Sequence, residues 1–475
     1  MATTIKFGTD GWRGIIGEDF TFQNVRTCAQ AVADYLLGGD NSGRGLIVGY
    51  DTRFASEDFA AAVAEVAAAN GIRVYLSPKA VPTPVVSFGI LGKKAGGAVI
   101  ITASHNSAIW NGFKYKPEYA GSASPEVTDE LEDRIQHVLE SGGIKRLFLD
   151  GGLGQGLIEY FDLSVGYLRH VAGLVDLERI RNAGLKIIVD SMRGAGAGYF
   201  KQLLGGGSTE VIEINAERNP LFPGIVRPEP IASNLTKLSA RVRETVSSVG
   251  FATDGDADRL GILDENGLFL TPHQVFALLA LYMLEVRGER GAIVKSVTST
   301  DMLYRLGDMF SVPVFEMPVG FKYIGPKMIR ENALIGGEES GGYGFRGHIP
   351  ERDGILSGLY FLDLMVSMGK KPSELIEYLY EQVGPHHYER LDLEFPQQER
   401  EAVMQRLAQL SPAKVNGLKL IDIDNKDGFR FRLSDGSWLQ IRASGTEPVL
   451  RIYAESHSVK QAEGLLQAGR KMVGI

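Results

Sequence analysis

One strand–helix–strand unit recurs three times along the chain, and it restricts the possible folds more than any other feature. In the first copy, "GLIVGYDTR" (45–53) is an apolar run closing on a charged turn. "SEDFAAAVAEVAAANG" follows, with a serine placed to cap, acids in the first turn and an Asn-Gly stop. "IRVYLSP" is the second strand. The same order returns in "LKIIVDSMRGAGAGYFKQLLGGGSTEVIEIN" (185–215) and in "AIVKSVTSTDMLYRLGDMFSVPVFEMPVG" (292–320). Short, continuously apolar strands alternating with helices imply mostly parallel sheets covered on both faces. After a further helical stretch, each copy leads to one more apolar strand with an unusual loop behind it: "GGAVIITASHN", "SSVGFATDGDADR" and "NALIGGEESGG". Ligands of open α/β sheets bind beyond the carboxyl ends of the strands, so the three loops are expected to face one site.

From about Pro385 the pattern changes. "HHYERLDLEF" leads into the helical "QEREAVMQRLAQL". "GLKLIDID", "GFRFRLSDGSWLQIRAS" and "VLRIYAES" then alternate apolar and polar residues, with Asp-Gly pairs marking hairpins. This predicts an α+β domain with an antiparallel sheet. A chain of 475 residues exceeds one core. The expected domains are 1–160, 161–265, 266–380 and 381–475. A net charge of −8 argues against a nucleic-acid groove or an acidic membrane surface as the main partner. An anionic ligand must therefore be met by a local cluster of cations. No apolar run approaches the ~20 residues that span a bilayer. "MATTIKFGTDGW" lacks the pattern of a signal peptide. The single cysteine, Cys28, lies in a helix-like stretch and reads as core. A cytoplasmic location is expected.

The loops carry the chemistry. "TDGDADR" sets Asp254, Asp256 and Asp258 at alternating positions, a spacing that suits a divalent cation such as Mg²⁺. Glu265 falls twelfth from Asp254, as in a calcium loop, but Arg259 stands where that loop needs glycine and the flanks read as strands. A solvated acidic turn is the plainer alternative. "RASGTEP" offers Arg442, two hydroxyls from Ser444 and Thr446, and the open backbone of Gly445 to an anion, with Arg451 on the next strand. Taken alone it is equally an ordinary hairpin. "GGEESGGYGF" presents Glu338 and Ser340 among glycines, a combination that suits sugar hydroxyls. Lys322 is expected on the loop after a strand, and Arg13 sits between glycines in "GTDGWRG". In "TASHN", Ser104 adjoins His105, but neighbours on an extended turn point different ways. No G-x-S-x-G elbow or G-x-x-x-x-G-K-[ST] loop is present. Ser104, with Lys114 ten residues on, is placed to keep a phosphate rather than an acyl group.

Five motifs, "GTDGWRG", "TASHN", "DGDADR", "GEES" and "RASGT", occur in this order, and over essentially its whole length the chain resembles the α-D-phosphohexomutases. That family includes phosphoglucomutase, phosphomannomutase and phosphoglucosamine mutase. The resemblance implies an α/β fold of four domains in a heart shape: three related mixed-sheet domains and a C-terminal α+β domain. It implies a phosphoryl group on Ser104 and Mg²⁺ on Asp254, Asp256, Asp258 and the phosphoserine. Arg259, Glu338, Ser340, Arg442, Ser444, Gly445, Thr446 and Arg451 are implied as substrate contacts, and Arg13, Lys114 and Lys322 as catalytic residues. A lysine with a lowered pKa is one source of the general base. The substrate is a hexose phosphate, with glucose 1,6-bisphosphate as intermediate and activator; monomer and dimer both stay open. Two departures stand out. Ser107 replaces a frequent proline, which is expected to loosen the serine loop. Gly342 stands where mannomutase- and glucosamine-type chains commonly carry histidine, so the sugar loop and "HIPERDG" look more like the glucomutase branch, with His348 expected in a surface role. The other readings are mannose or glucosamine phosphates, synthesis of the bisphosphate, a metal-dependent phosphatase, and a non-catalytic sugar-phosphate sensor.

Overall fold

The computed structural model describes residues 5–39, 41, 43–394, 399–443 and 449–474. Each of the three repeated units forms its own sheet, and the sheets share one strand order. In the first, Leu46–Tyr50 pairs in parallel with Val74–Leu76 on one side and Gly97–Ile101 on the other, and Trp110–Pro117 returns antiparallel beside Gly97–Ile101. In the second, Lys186–Asp190 lies between Glu210–Ile214 and Val249–Thr253, and Leu260–Leu263 is the antiparallel return. In the third, Ile293–Ser296 lies between Val314–Met317 and Ile335–Gly337, followed by Tyr343–Phe345. The loops at 102–109, 254–259 and 338–342 are thus equivalent. Each joins the third strand of its sheet to the antiparallel return.

The central strands Leu46–Tyr50, Gly97–Ile101 and Val249–Thr253 are buried at every position, as their unbroken apolar runs require. Helix Ser56–Ala69 stops at Asn70 and Gly71 as expected, but Ser56 does not cap it. Its hydroxyl donates to Asp51 Oδ1 (3.0 Å) instead, because the preceding Ala55 is left-handed and no side chain supplies the cap. Cys28 is buried in helix Phe22–Gly38. One apolar cluster runs from Ile47 and Val86 through Tyr167, Ile187 and Phe251 to Ile293 and Leu359, so the first three units share a core. Alternate residues of the first sheet, among them Val48, Val99 and Ile101, point into a second cluster on its other face.

The last unit is an antiparallel sheet in the order His387–Glu394, Val449–Ser456, Trp438–Ala443, Phe429–Leu433, Leu418–Asp424, Lys414–Val415. Helices Arg400–Ala408 and Val459–Val473 belong to it; the second of these is absent from the expectations above. Its core, with Phe431, Leu439, Ile452 and Leu465, is separate from the large cluster. Charges join it to the third unit. Arg430 pairs with Glu316 and with Asp301 (2.8 Å), and Lys295 reaches the same two acids at 3.2 and 3.1 Å. Among the described residues, no helix is long and apolar enough to cross a membrane.

Candidate active site

Ser104 sits in the first loop with a left-handed backbone (φ 50°) that few non-glycine residues adopt. Two groups hold it there. Its amide donates to Thr102 Oγ1 (2.9 Å), and its carbonyl accepts from Arg53 Nη2 (2.7 Å). Arg53 is fully buried and also donates to the carbonyls of Asn106, Ser107 and Trp110. The loop that Ser107 was expected to loosen is therefore pinned by one guanidinium. The Ser104 hydroxyl is buried and donates to Asp254 Oδ2 (2.7 Å) across 150 positions of sequence. His105 Nδ1 lies 3.4 Å from the same hydroxyl, so the two side chains do meet, contrary to the sequence expectation. His105 is nevertheless a weak base. Burial, with Arg259, Arg13, Arg53 and Lys114 around it, holds its pKa well below the usual histidine range.

The second loop is a turn between antiparallel strands, which excludes the helix–loop–helix of a calcium module. Glu265 is turned away and accepts from the Ser373 hydroxyl (2.5 Å). The carboxylates of Asp254, Asp256 and Asp258 are fully buried, with ligand oxygens within 4.8 Å of one another. Asp256 Oδ2 accepts from Lys114 Nζ (2.7 Å) and Thr83 Oγ1 (2.6 Å). Asp258 Oδ2 pairs with Lys114 (3.2 Å) and Arg352 (2.8 Å). Their other oxygens, Asp256 Oδ1 and Asp258 Oδ1, are buried with no hydrogen-bond donor among the described residues. Burial, then the charges of Asp256 and Asp258, push the Asp254 pKa well above the usual carboxylate range. Such bare, crowded, hard oxygens fit a divalent cation such as Mg²⁺.

Lys114 is buried between Asp10 (2.6 Å), Asp256 and Asp258. Burial works to lower its pKa, but the three carboxylates win and raise it. With three carboxylates around it, Lys114 stands as an ion-paired cation. Arg13 donates to Asn106 Oδ1 (2.5 Å) beside the serine loop. Arg259 donates its backbone N–H to Asp254 Oδ1 (3.2 Å) and pairs through its side chain with Glu229 (3.2 Å). Lys322 lies in the first turn of helix Phe321–Glu331 rather than on a loop, because Gly320 ends the preceding turn, and it donates to the Gly8 carbonyl (3.3 Å).

In the third loop, Glu338 Oε1 accepts the Gly320 amide (2.9 Å) and Oε2 lies 3.5 Å from Arg352. Burial is the largest influence on this carboxyl and lifts its pKa to about 7, against the pull of Arg352. Ser340 Oγ is buried without a hydrogen-bond partner among the described residues. Arg442 and Arg451 are direct partners across adjacent strands, so both project from one face of the last sheet. Arg442 Nε donates to Asp427 Oδ1 (2.8 Å), whose other oxygen accepts the Val319 amide (2.9 Å), next to the Gly320 amide that Glu338 holds. Ser444, Gly445 and Thr446 lie outside the described residues. The His348 side chain is buried rather than superficial, 2.9 Å from Asp353 and stacked on His170, because three units of the shared core converge there.

Sequence reading missed Asp10, Arg53, Arg352 and Asp427. The first three stand inside or beside quoted motifs, "GTDGWRG", "GYDTR" and "HIPERDG", so the signal was position next to a motif. Asp427 has no such signal.

Models of the four domains of one family match consecutive stretches of the chain. The phosphoglucomutase/phosphomannomutase alpha/beta/alpha domain I matches 4–141, domain II 165–267, domain III 271–383, and the C-terminal domain 395–471. A phosphoglucomutase/phosphomannomutase of Thermococcus kodakarensis is 30% identical over 468 residues, 98% of each chain. A Methanothermobacter thermautotrophicus protein, provisionally named a phosphoglucosamine mutase, is 32% identical over 457 residues, 96% of this chain and 95% of that one. A solved structure from Thermus thermophilus, provisionally named a phosphomannomutase, aligns over 100% of both chains with TM-score 0.87 and 35% identity.

Proposed function

Because the chain belongs to the phosphoglucomutase/phosphomannomutase family of phosphohexomutases, we propose that it moves a phosphoryl group between the 1- and 6-positions of a hexose through Ser104, with glucose phosphate as the preferred substrate. The observation that carries this reading is the buried hydroxyl of Ser104 on Asp254, beside two buried carboxylates that both pair with Lys114. A serine so placed suits a phosphoryl group, whose charge Lys114 and a cation on the three aspartates would offset.

Mg²⁺ would be held by Asp254, Asp256, Asp258 and an oxygen on phosphorylated Ser104, and when bound it neutralises charge on the phosphoryl oxygens. The chain's own residues do the rest. Arg442 and Arg451, with Ser444, Gly445 and Thr446, would grip the phosphate already on the sugar. Glu338 and Ser340 would take its hydroxyls, and Ser340 Oγ has no hydrogen-bond partner among the described residues to compete for it. The free sugar hydroxyl then attacks phosphorus; the bond from phosphorus to Ser104 Oγ breaks as the new ester forms, giving the 1,6-bisphosphate. After the bisphosphate turns over, its other phosphoryl group returns to Ser104. In the first transfer the proton lost by the attacking sugar hydroxyl is matched by one gained at the departing Ser104 Oγ; in the second, Ser104 Oγ loses a proton and the freed sugar oxygen gains one. Lys114 and Arg13 supply fixed positive charge during both transfers. Burial of Ser104 keeps water from competing for the phosphoryl group.

The glucose preference rests on "GEES", "HIPERDG" and Gly342. A coupled assay over glucose, mannose and glucosamine 1-phosphates, with and without glucose 1,6-bisphosphate, tests it. Fastest isomerisation of glucose 1-phosphate, stimulated by the bisphosphate, is the expected result. Equal or better turnover of mannose 1-phosphate would reject the preference, and free phosphate in place of isomer would reject the mutase.

A further inference from the structure

We propose that Arg352 is a positioning residue of this site, its side chain filling the space left by Gly342 and tying the sugar loop to the aspartate loop and the N-terminal loop. The inference rests on the mutase reading and deepens it. Gly342 is not among the glycines with a left-handed backbone, whereas its neighbour Gly341 is (φ 87°). Conformation therefore does not demand glycine at 342; space does. A Cβ there would lie 2.3 Å from Arg352 Cδ, 2.7 Å from Cγ and 3.2 Å from Cβ.

The arginine cannot swing aside, because both its ends are held. Its backbone amide donates to Glu351 Oε1 (3.0 Å), and the following amide, of Asp353, donates to the Tyr343 carbonyl (2.9 Å). Its guanidinium meets Asp10 (2.5 Å), Asp258 (2.8 Å), Glu351 (3.3 Å) and Glu338 (3.5 Å). Asp10 belongs to the N-terminal loop, Asp258 to the aspartate loop and Glu338 to the sugar loop. The Phe321 ring lies 5.6 Å from the guanidinium carbon on a further side. One planar fork thus fixes three loops that lie far apart in sequence, at Asp10, Asp258 and Glu338. An ammonium on a flexible stem would serve as a point charge and could not reach all four carboxylates from one rigid plane.

The test is a mutant cycle of Gly342→Ala, Arg352→Ala and the double variant, with Arg352→Lys alongside. Each is read by kcat and KM for glucose 1-phosphate and by thermal midpoint. Arg352→Ala and Gly342→Ala should each lower kcat by about 100-fold, the cost of a misplaced reacting group. KM should rise by a smaller factor than kcat falls, since the phosphate grip on the last sheet is untouched. The double variant should be no worse than Arg352→Ala, because the added methyl acts only through the arginine. Gly342→Ala should lower the thermal midpoint of the wild-type protein and leave that of Arg352→Ala unchanged. Guanidinium ion at millimolar concentration should restore part of kcat to Arg352→Ala. Multiplying effects, a midpoint loss that persists without the arginine, or a folded Arg352→Lys with wild-type kcat would overturn the inference. Failure of the mutase reading is distinguishable: wild-type protein would then not isomerise the substrate, while the thermal cycle would still report the Gly342–Arg352 contact.

Discussion

At the scale of single residues, the site is built from groups whose environments oppose their ordinary states. Ser104 holds a left-handed backbone, a conformation that costs a non-glycine residue about 1–3 kcal/mol and persists only where surroundings impose it. Arg53 and Thr102 impose it here. Ser104→Ala should lower turnover by roughly 10⁴-fold or more, as loss of a covalent nucleophile does, while isothermal titration finds substrate affinity retained. Glu338 gives a pH prediction. Its pKa stands at about 7 in the folded protein and at about 4.3 in the unfolded chain. Between those values the folded state keeps a proton that the unfolded state has lost, so this group's contribution to stability falls as pH rises and is fully unfavourable above pH 7. Glu338→Gln should therefore match the wild-type thermal midpoint near pH 4 and gain on it up to pH 8. Ser104 and the three aspartates were legible in the sequence because each stands in a dense local pattern. Asp10 and Arg352 were not, since an acid among glycines and an arginine between two acids take their meaning only from partners on other domains.

At the scale of elements, three equivalent loops converge because three equivalent sheets present them. The repeat and the loop after each third strand were readable from the unbroken apolar runs, and the alternation of the last unit announced its antiparallel sheet. Local judgements failed where tertiary contacts outweighed local ones: Ser56 leaves its cap for Asp51, and Lys322 starts a helix. The approach of the loops was also invisible in one dimension. A Cβ on Gly255 would lie 2.4 Å from the Ser104 carbonyl oxygen, and one on Gly194 would lie 2.7 Å from the Gly255 carbonyl. Gly255→Ala should therefore push the aspartate loop off the serine loop. Activity is expected to fall by roughly 100-fold with the far-ultraviolet circular dichroism unchanged. Calorimetric titration should show weakened Mg²⁺ binding in the same variant.

At the scale of the molecule, three units share one apolar core and the fourth is attached by charge. Arg430, almost fully buried, joins Asp301 and Glu316 of the third unit, and Asp427 clasps the Val319 amide while holding Arg442. Removing one partner of a buried pair costs about 3–5 kcal/mol. Arg430→Ala should raise KM for the hexose phosphate and speed proteolysis of the last unit, with the unfolding of the first three units little changed. That the site works through a phosphoserine is the claim on which the rest depends. It is tested by incubating the protein with glucose 1,6-bisphosphate labelled in phosphate, mapping the label by peptide mass spectrometry, and then adding unlabelled glucose 1-phosphate. One phosphoryl group per chain, on Ser104 and discharged into the sugar phosphate, is the predicted result; label on another residue, or label on Ser104 that the sugar phosphate cannot remove, would contradict it.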